Sequence, residues 1–149
     1  MALVSYKGTL AIAAVTDVAI NSASGRVSMK ELAKRHKLSP RYLEPVLQAL
    51  VRDGILTSIR GRHGGYKVAR EQAKITVEDI LNSARRIEAY EPLPESHLIV
   101  AVVQPTLAIA EQCFSAALRE INVADLVRQA LHVRGHGLHS FDTHEAKVG

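Results

Sequence analysis

The alternation of apolar and polar positions divides the chain into short helices, one hairpin and a longer helix near the C-terminus. From Tyr6 to Ile20 the residues are apolar almost all round, with Leu10, Ile12, Ala13, Ala14, Val15, Val18 and Ala19 leaving little polar face. A helix of that kind belongs inside a packed domain, and residues 21–25 supply its break. Ser28-Met29-Lys30-Glu31 has the spacing of a capping box, in which serine and glutamate satisfy orphan amides reciprocally. The helix it opens runs to about His36, with Leu32 and Ala33 inward. A second helix follows at once: Ser39 is its N-cap and Pro40 takes the first helical position, where a missing amide costs nothing. Leu43, Val46, Leu47 and Leu50 form its i, i+3, i+4, i+7 stripe. Arg41, Pro45, Gln48 and Arg52, with Glu44 beside them, fall on the opposite face. Pro45 removes one intrahelical bond and frees the carbonyl of Arg41, and Gly54 marks the helix end.

The period then changes from helical to extended. Ile55-Leu56-Thr57-Ser58-Ile59 and Tyr66-Lys67-Val68 flank Arg60-Gly61-Arg62-His63-Gly64-Gly65, which predicts a β-hairpin with a cationic tip. Thr76-Val77-Glu78-Asp79 is another N-cap with an acidic N3, followed by Ile80, Leu81 and Ala84 on one face. Residues 90–97, with two prolines and two glutamates, form a loop. Residues 98–103 are an apolar run that fits either a helix or a strand. From Pro105 onward, Leu107, Ala110, Phe114, Ala117 and Ile121 recur at intervals of three and four, a narrow seam suited to a partner helix. Asn122 caps a last short helix through Leu131. The stretch from His132 is polar, holds three glycines and four histidines, and reads as a flexible tail.

Composition sharpens this outline in two ways. Of 149 residues, 47% are apolar and 23% charged, which describes one folded domain with a short appendage. The net charge of +4 hides a split: residues 1–74 carry 13 Lys and Arg against 5 Asp and Glu, and residues 75–149 carry 6 against 10. A basic half joined to an acidic one directs the first half toward a polyanion. The single cysteine excludes an intrachain disulfide framework and a cysteine-pair metal knuckle, and suits a reducing cytoplasm. Neither Lys7 with the apolar residues after it, interrupted by Asp17, nor the run at 98–110, interrupted by Gln104 and Pro105, reads as a targeting or membrane segment.

Helix, helix, turn, helix and a basic hairpin together make a mainly α winged helix-turn-helix with a two-stranded β-wing. The major groove of DNA admits one helix, whose early residues reach base edges. Arg41 can pair with guanine, Gln48 with adenine, and Glu44 can accept from cytosine. Arg60, Arg62 and His63 suit an adjacent minor groove, where narrow walls concentrate negative potential. Gly61, Gly64 and Gly65 let the backbone approach phosphates closely. Lys7, Ser28 and Lys30 are further phosphate candidates at helix starts. No H-E-x-x-H, G-x-S-x-G or P-loop pattern occurs, so nothing assembles an enzyme.

The sequence resembles the Rrf2 family of bacterial transcription regulators. The resemblance rests on Ser39-Pro40-Arg41-Tyr42-Leu43-Glu44-Pro45-Val46-Leu47-Gln48, on Ile59-Arg60-Gly61-Arg62-His63-Gly64-Gly65-Tyr66 and on Ile75-Thr76-Val77-Glu78-Asp79-Ile80. It implies a homodimer, paired through a long C-terminal helix, that binds a palindromic promoter site on double-stranded DNA. It places Arg41, Tyr42 and Pro45 at the DNA, Arg60 in the minor groove, and Glu44 where sequence preference is tuned; Ser39, at the start of the same helix, is a further DNA-binding candidate. The implied organisation is a DNA-binding domain over 1–86, a connector over 87–104, dimerisation helices over 105–133 and a tail over 134–149. A small-molecule or protein effector would act between the long helices and the DNA-binding body.

One departure concerns the cofactor. Many members carry three cysteines before the long helix that hold an iron–sulfur cluster, whereas residues 88–104 here contain none. Cys113 alone cannot supply a ligand set of about four, so no cofactor is expected. Cys113 reads as a small buried hydrophobe, with a redox thiol or an intersubunit disulfide as its functional alternatives. His132, His136, His139 and His144 match no closed metal site, and His97 is a weak ligand candidate beside the apolar run. The rival reading is a sensor or metal-binding protein that uses the winged fold for protein contacts.

Overall fold

A computed structural model describes residues 3–135 of the chain. The elements are α1 (Tyr6–Ile20), α2 (Met29–Arg35), α3 (Pro40–Arg52), β1 (Leu56–Ile59), β2 (Gly65–Val68), α4 (Val77–Arg85), a π-helical turn (Ile99–Val103), α5 (Gln104–Arg119) and α6 (Val123–Gly135). Short 3-10 turns, Ser22–Ser24 and Gln72–Lys74, join α1 to α2 and β2 to α4. This is the mainly helical, two-stranded architecture that the sequence pattern implies.

Helix α1 is the post around which the others pack. Its Ala11, Ala14, Val15 and Val18 are fully enclosed by α3, α4, α6 and β2. Both capping boxes form: Ser28 with Glu31 opens α2, and Thr76 with Asp79 opens α4. Asp17 near the end of α1 accepts both Arg35 Nε (2.9 Å) and Arg35 Nη2 (2.7 Å), and lies 3.0 Å from His36 Nε2, fastening α1 to the end of α2. From α3, Leu43, Leu47 and Leu50 point into the same core at zero exposure. Truncating Leu47 to alanine is expected to lower unfolding stability by about 2–5 kcal/mol, measured by urea denaturation.

β1 and β2 pair antiparallel, with Leu56 opposite Val68 and Ile59 opposite Gly65. Val27 adds a third edge by exchanging backbone hydrogen bonds with Tyr66 (3.0 and 2.8 Å), which ties the start of α2 to the wing. At the far end, Val77 N donates to Ile121 O (2.8 Å) and Val123 N to Ile75 O (2.9 Å), so the α5–α6 corner is clamped to the start of α4. Asn122 and Asp125 cap α6 reciprocally, each amide donating to the other's side chain at 3.0 Å.

Six expectations change here. Ser39 occupies the N-cap position of α3, but its hydroxyl makes no capping bond and remains available. Residues 98–103, open between helix and strand, are helical and continuous with α5, so the connector placed at 87–104 is shorter. Pro105 lacks the amide that would continue an α-helical ladder there; the turn widens into a π register, and Thr106 Oγ1 donates to Val102 O (2.7 Å). The resulting helix, Ile99–Arg119, has 21 residues and a mean hydropathy of 1.4, so length does not exclude a membrane span as the shorter sequence run suggested. The seam on α5 is divided: Phe114 packs with Leu118 against Val77 and Leu81 of α4, whereas Leu107, Ala110 and Ala117 are exposed, and Ile121 sits at the clamped corner. Cys113 is exposed instead of buried. Helix α6 extends to Gly135, past the start of the tail expected at 134; His136, His139 and His144 lie outside the described residues.

Candidate nucleic-acid interface

The outer face of α3 and the wing form the two walls of a cleft of about 460 Å3. Burial of Leu43, Val46, Leu47 and Leu50 forces Arg41, Tyr42, Glu44 and Gln48 outward, and all four are exposed. Gln48 Nε2 donates weakly to Glu44 Oε1 at 3.4 Å, one turn apart, so the two side chains share one edge of the helix. Arg41 has no side-chain partner among the described residues, and Tyr42 is 56% exposed at the helix entrance.

The opposite wall is built by glycine geometry. Gly61 has φ +108°, and Gly64 N closes the tip on Gly61 O at 3.0 Å. A Cβ on Gly64 would lie 2.2 Å from Ile59 O, and one on Gly65, at φ +143°, 2.7 Å from Val27 O. Both obstacles are backbone, so neither can swing away. Gly64→Ala is therefore expected to distort the wing and reduce DNA affinity while α1–α4 stay folded, checked by circular dichroism beside a binding titration. Arg60, Arg62 and His63 are exposed on this turn, and neither guanidinium has a protein partner among the described residues.

Of the residues singled out from sequence, Ser28, Glu44, Gln48, Arg60, Arg62, Gly64 and Gly65 line the cleft together. Ser39, Arg41 and Tyr42 stand at the start of α3, His63 at the wing tip, and Lys30 is exposed on the first turn of α2. Ser28 Oγ is already engaged with Glu31 Oε2 (2.8 Å), whose carboxyl is held below its usual range first by the Ser28 amide and then by its hydroxyl. Lys7 is elsewhere: its ammonium donates to Ile87 O at 2.9 Å at the end of α4, outside the cleft. That bond places the charge near the end of α4, away from the cleft that the other candidates share.

Sequence reading missed Met29, Ser58, Ile59 and Tyr66, which also line the cleft. Tyr66 belongs to the wing motif but gave no sign of its position until Val27 paired with it. Burial first, and the charge of Glu44 second, push its phenol above the usual range, so it stays a neutral donor facing the recognition helix.

The Rrf2 family profile, that of an iron-dependent transcriptional regulator, matches residues 4–129. The chain belongs to the Rrf2 family. Among solved structures, this Rrf2 protein is similar to T. potens IscR (31% identity, TM-score 0.70, covering 88% of this chain and 90% of that one). It is also similar to CymR, the global cysteine regulator of B. subtilis (27%, TM-score 0.66, 87% and 98%). Curated relatives include Protein rrf2 of Nitratidesulfovibrio vulgaris, 29% identical over 119 residues that cover 76% of this chain and 79% of that protein. The HTH-type transcriptional regulator IscR of Cronobacter sakazakii is 35% identical over 77 residues, and the match spans about half of that relative's length (48%). The chain is accordingly an Rrf2-family transcription regulator, and DNA is its partner.

The iron named in the family description finds no matching donor set among the described residues. An iron–sulfur cluster takes about four ligands, mostly thiolates. The sequence holds one cysteine, exposed on α5, and no three His, Cys, Asp or Glu side chains converge among the described residues.

Proposed function

We propose that the chain is a homodimeric, sequence-specific regulator that reads a palindromic promoter site and does so without an iron–sulfur cluster or a catalytic step. The observation that carries this reading is the shared cleft. Outward Glu44 and Gln48 of α3, with Arg41 exposed at the helix start, and a turn carrying Arg60 and Arg62, both without partners among the described residues, bound the same space, which matches a helix in the major groove beside a wing in the minor groove. Dimerisation is supported by the exposure of the long helix. Leu98, Val100, Val102, Leu107 and Ile109 are each more than half exposed, an apolar strip that a single chain leaves wet. A second copy is favoured over a bilayer because Gln104, Glu111 and Gln112 interrupt the strip and Arg119 pairs with Glu78 on α4. Cluster independence is supported by the single thiol.

The decisive experiment selects bound sequences from a random duplex pool, followed by titration of the recovered site at several salt concentrations. Recovery of an inverted repeat, with affinity falling steeply as salt rises, is the expected result. Absence of any salt-dependent duplex binding would favour a winged fold adapted to protein contacts. Within the recovered site, Arg41→Ala is expected to relax preference at one base pair in each half, at a cost of about 1–3 kcal/mol.

A further inference from the structure

A helix in the major groove and a wing in the neighbouring minor groove are divided by one sugar–phosphate strand of the duplex. That strand has to pass between α3 and the wing, through the cleft of about 460 Å3 that they enclose. The lining suits a chain that alternates sugar and phosphate. Met29, half-buried, and Ile59, exposed at the end of β1, offer apolar surface for deoxyribose. Arg60 and Arg62 bring two positive charges to the lining against the single carboxylate of Glu44, so a phosphodiester is attracted on balance.

Two hydroxyls in this cleft have no task within the protein. Ser58 and Tyr66 are direct partners across the β1–β2 ladder, so their side chains lie on one face of the hairpin. Both line the cleft, and neither hydroxyl has a hydrogen-bond partner among the described residues. The Ser28 hydroxyl beside them is different, being engaged with Glu31 Oε2 at 2.8 Å. Tyr66 is firmly held for a residue so free at its tip. Its backbone exchanges bonds with Val27 on one side (3.0 and 2.8 Å), pairs with Ser58 on the other, and its ring packs against the core. Burial, and then the charge of Glu44, keep the phenol neutral and donating. A donor immobilised in this way binds an incoming acceptor with little further loss of freedom.

We propose that the cleft seats the sugar–phosphate strand dividing the two grooves, and that the Tyr66 hydroxyl, with that of Ser58 beside it, donates to one phosphodiester of that strand. This rests on the DNA-binding reading above and adds which part of the duplex fills the cleft and which side chains hold it. A hydroxyl differs from a guanidinium in one measurable respect. It bonds a phosphate oxygen without bringing a charge, displaces no counterion, and so adds affinity that does not fade as salt rises. It also reads no base, so it strengthens every sequence alike. The pair fixes how the duplex sits, and discrimination is left to α3.

The test titrates the full chain and its Tyr66→Phe variant against the selected operator over a salt series, and against copies in which each phosphate in turn is replaced by a neutral methylphosphonate. Tyr66→Phe keeps the ring against the core, so its circular dichroism and urea midpoint are expected to match the wild type. Its affinity is expected to fall about three- to tenfold, by the same factor on operators with single base-pair changes, and with the salt slope unaltered. At one methylphosphonate position in each half-site the variant and the wild type should bind within about twofold of each other, and Ser58→Ala should lose its effect at that same position. Wild-type affinity in Tyr66→Phe, a changed base preference, or a full-sized loss at every methylphosphonate position would each overturn the proposal while leaving the DNA-binding reading intact. A wild-type chain with no salt-dependent duplex binding would remove both.

Discussion

Arg60→Ala is expected to weaken binding to the selected operator about 10- to 100-fold while leaving the fold and the oligomeric state unchanged. The side chain emerges where β1 ends, is exposed and has no partner among the described residues, so its removal opens no cavity and breaks no ion pair seen there. Whatever is lost is therefore lost from the complex. A guanidinium inserted into a narrow minor groove is held both by phosphate potential and by groove width. The loss should accordingly be larger at sites flanked by A·T-rich steps than at G·C-rich ones. It should also lower the slope of log affinity against log salt by about one. Fluorescence anisotropy on both types of duplex, over a salt series, measures all three quantities. Affinity unchanged at moderate salt would place the wing away from the DNA. Arg62→Ala, on the same turn but farther from the strand end, is the natural comparison.

The parts of this molecule that sequence made legible are those governed by local rules. The capping boxes Ser28/Glu31 and Thr76/Asp79 need only residues three apart, and both form. The Leu43–Val46–Leu47–Leu50 stripe fixes the outward face of α3 without reference to anything else in the chain. The glycines of the wing announce a turn whose backbone tolerates no Cβ at Gly64. The parts that stayed hidden depend on contacts between distant segments. Tyr66 enters the cleft because Val27, some forty residues earlier, pairs with it. Lys7 leaves the candidate interface because the end of α4 offers a carbonyl at Ile87. The α5 seam misled for a related reason: spacing groups Phe114 with Leu107 and Ala117, but the backbone clamp at Ile75, Val77, Ile121 and Val123 lays the lower part of α5 on α4. Periodicity shows that a helix has an apolar side; it does not say which neighbour covers each part of it.

That division of α5 leads to the second large effect. If the long helices pair as proposed, Ile109→Asp is expected to leave the protein monomeric at micromolar concentration where the wild type runs as a dimer, seen by size-exclusion chromatography with light scattering. Ile109 is 65% exposed in the single chain, so the change costs the protomer's own fold little, and thermal unfolding of the isolated domain should shift only slightly. In an interface between two long helices, the same carboxylate would be desolvated without a partner, a penalty large enough to separate the subunits. Phe114→Asp should behave in the opposite way: it strikes the packing against Val77 and Leu81 and lowers stability directly. Affinity for a full inverted repeat should fall about 100-fold or more in the Ile109→Asp variant, because two linked half-site contacts become two independent ones. Affinity for an isolated half-site should be unaltered. This pairing of results separates an assembly defect from damage to the DNA-reading face. A wild-type protein that is monomeric, or one that requires detergent to stay in solution, would show that the apolar strip meets something other than a second copy.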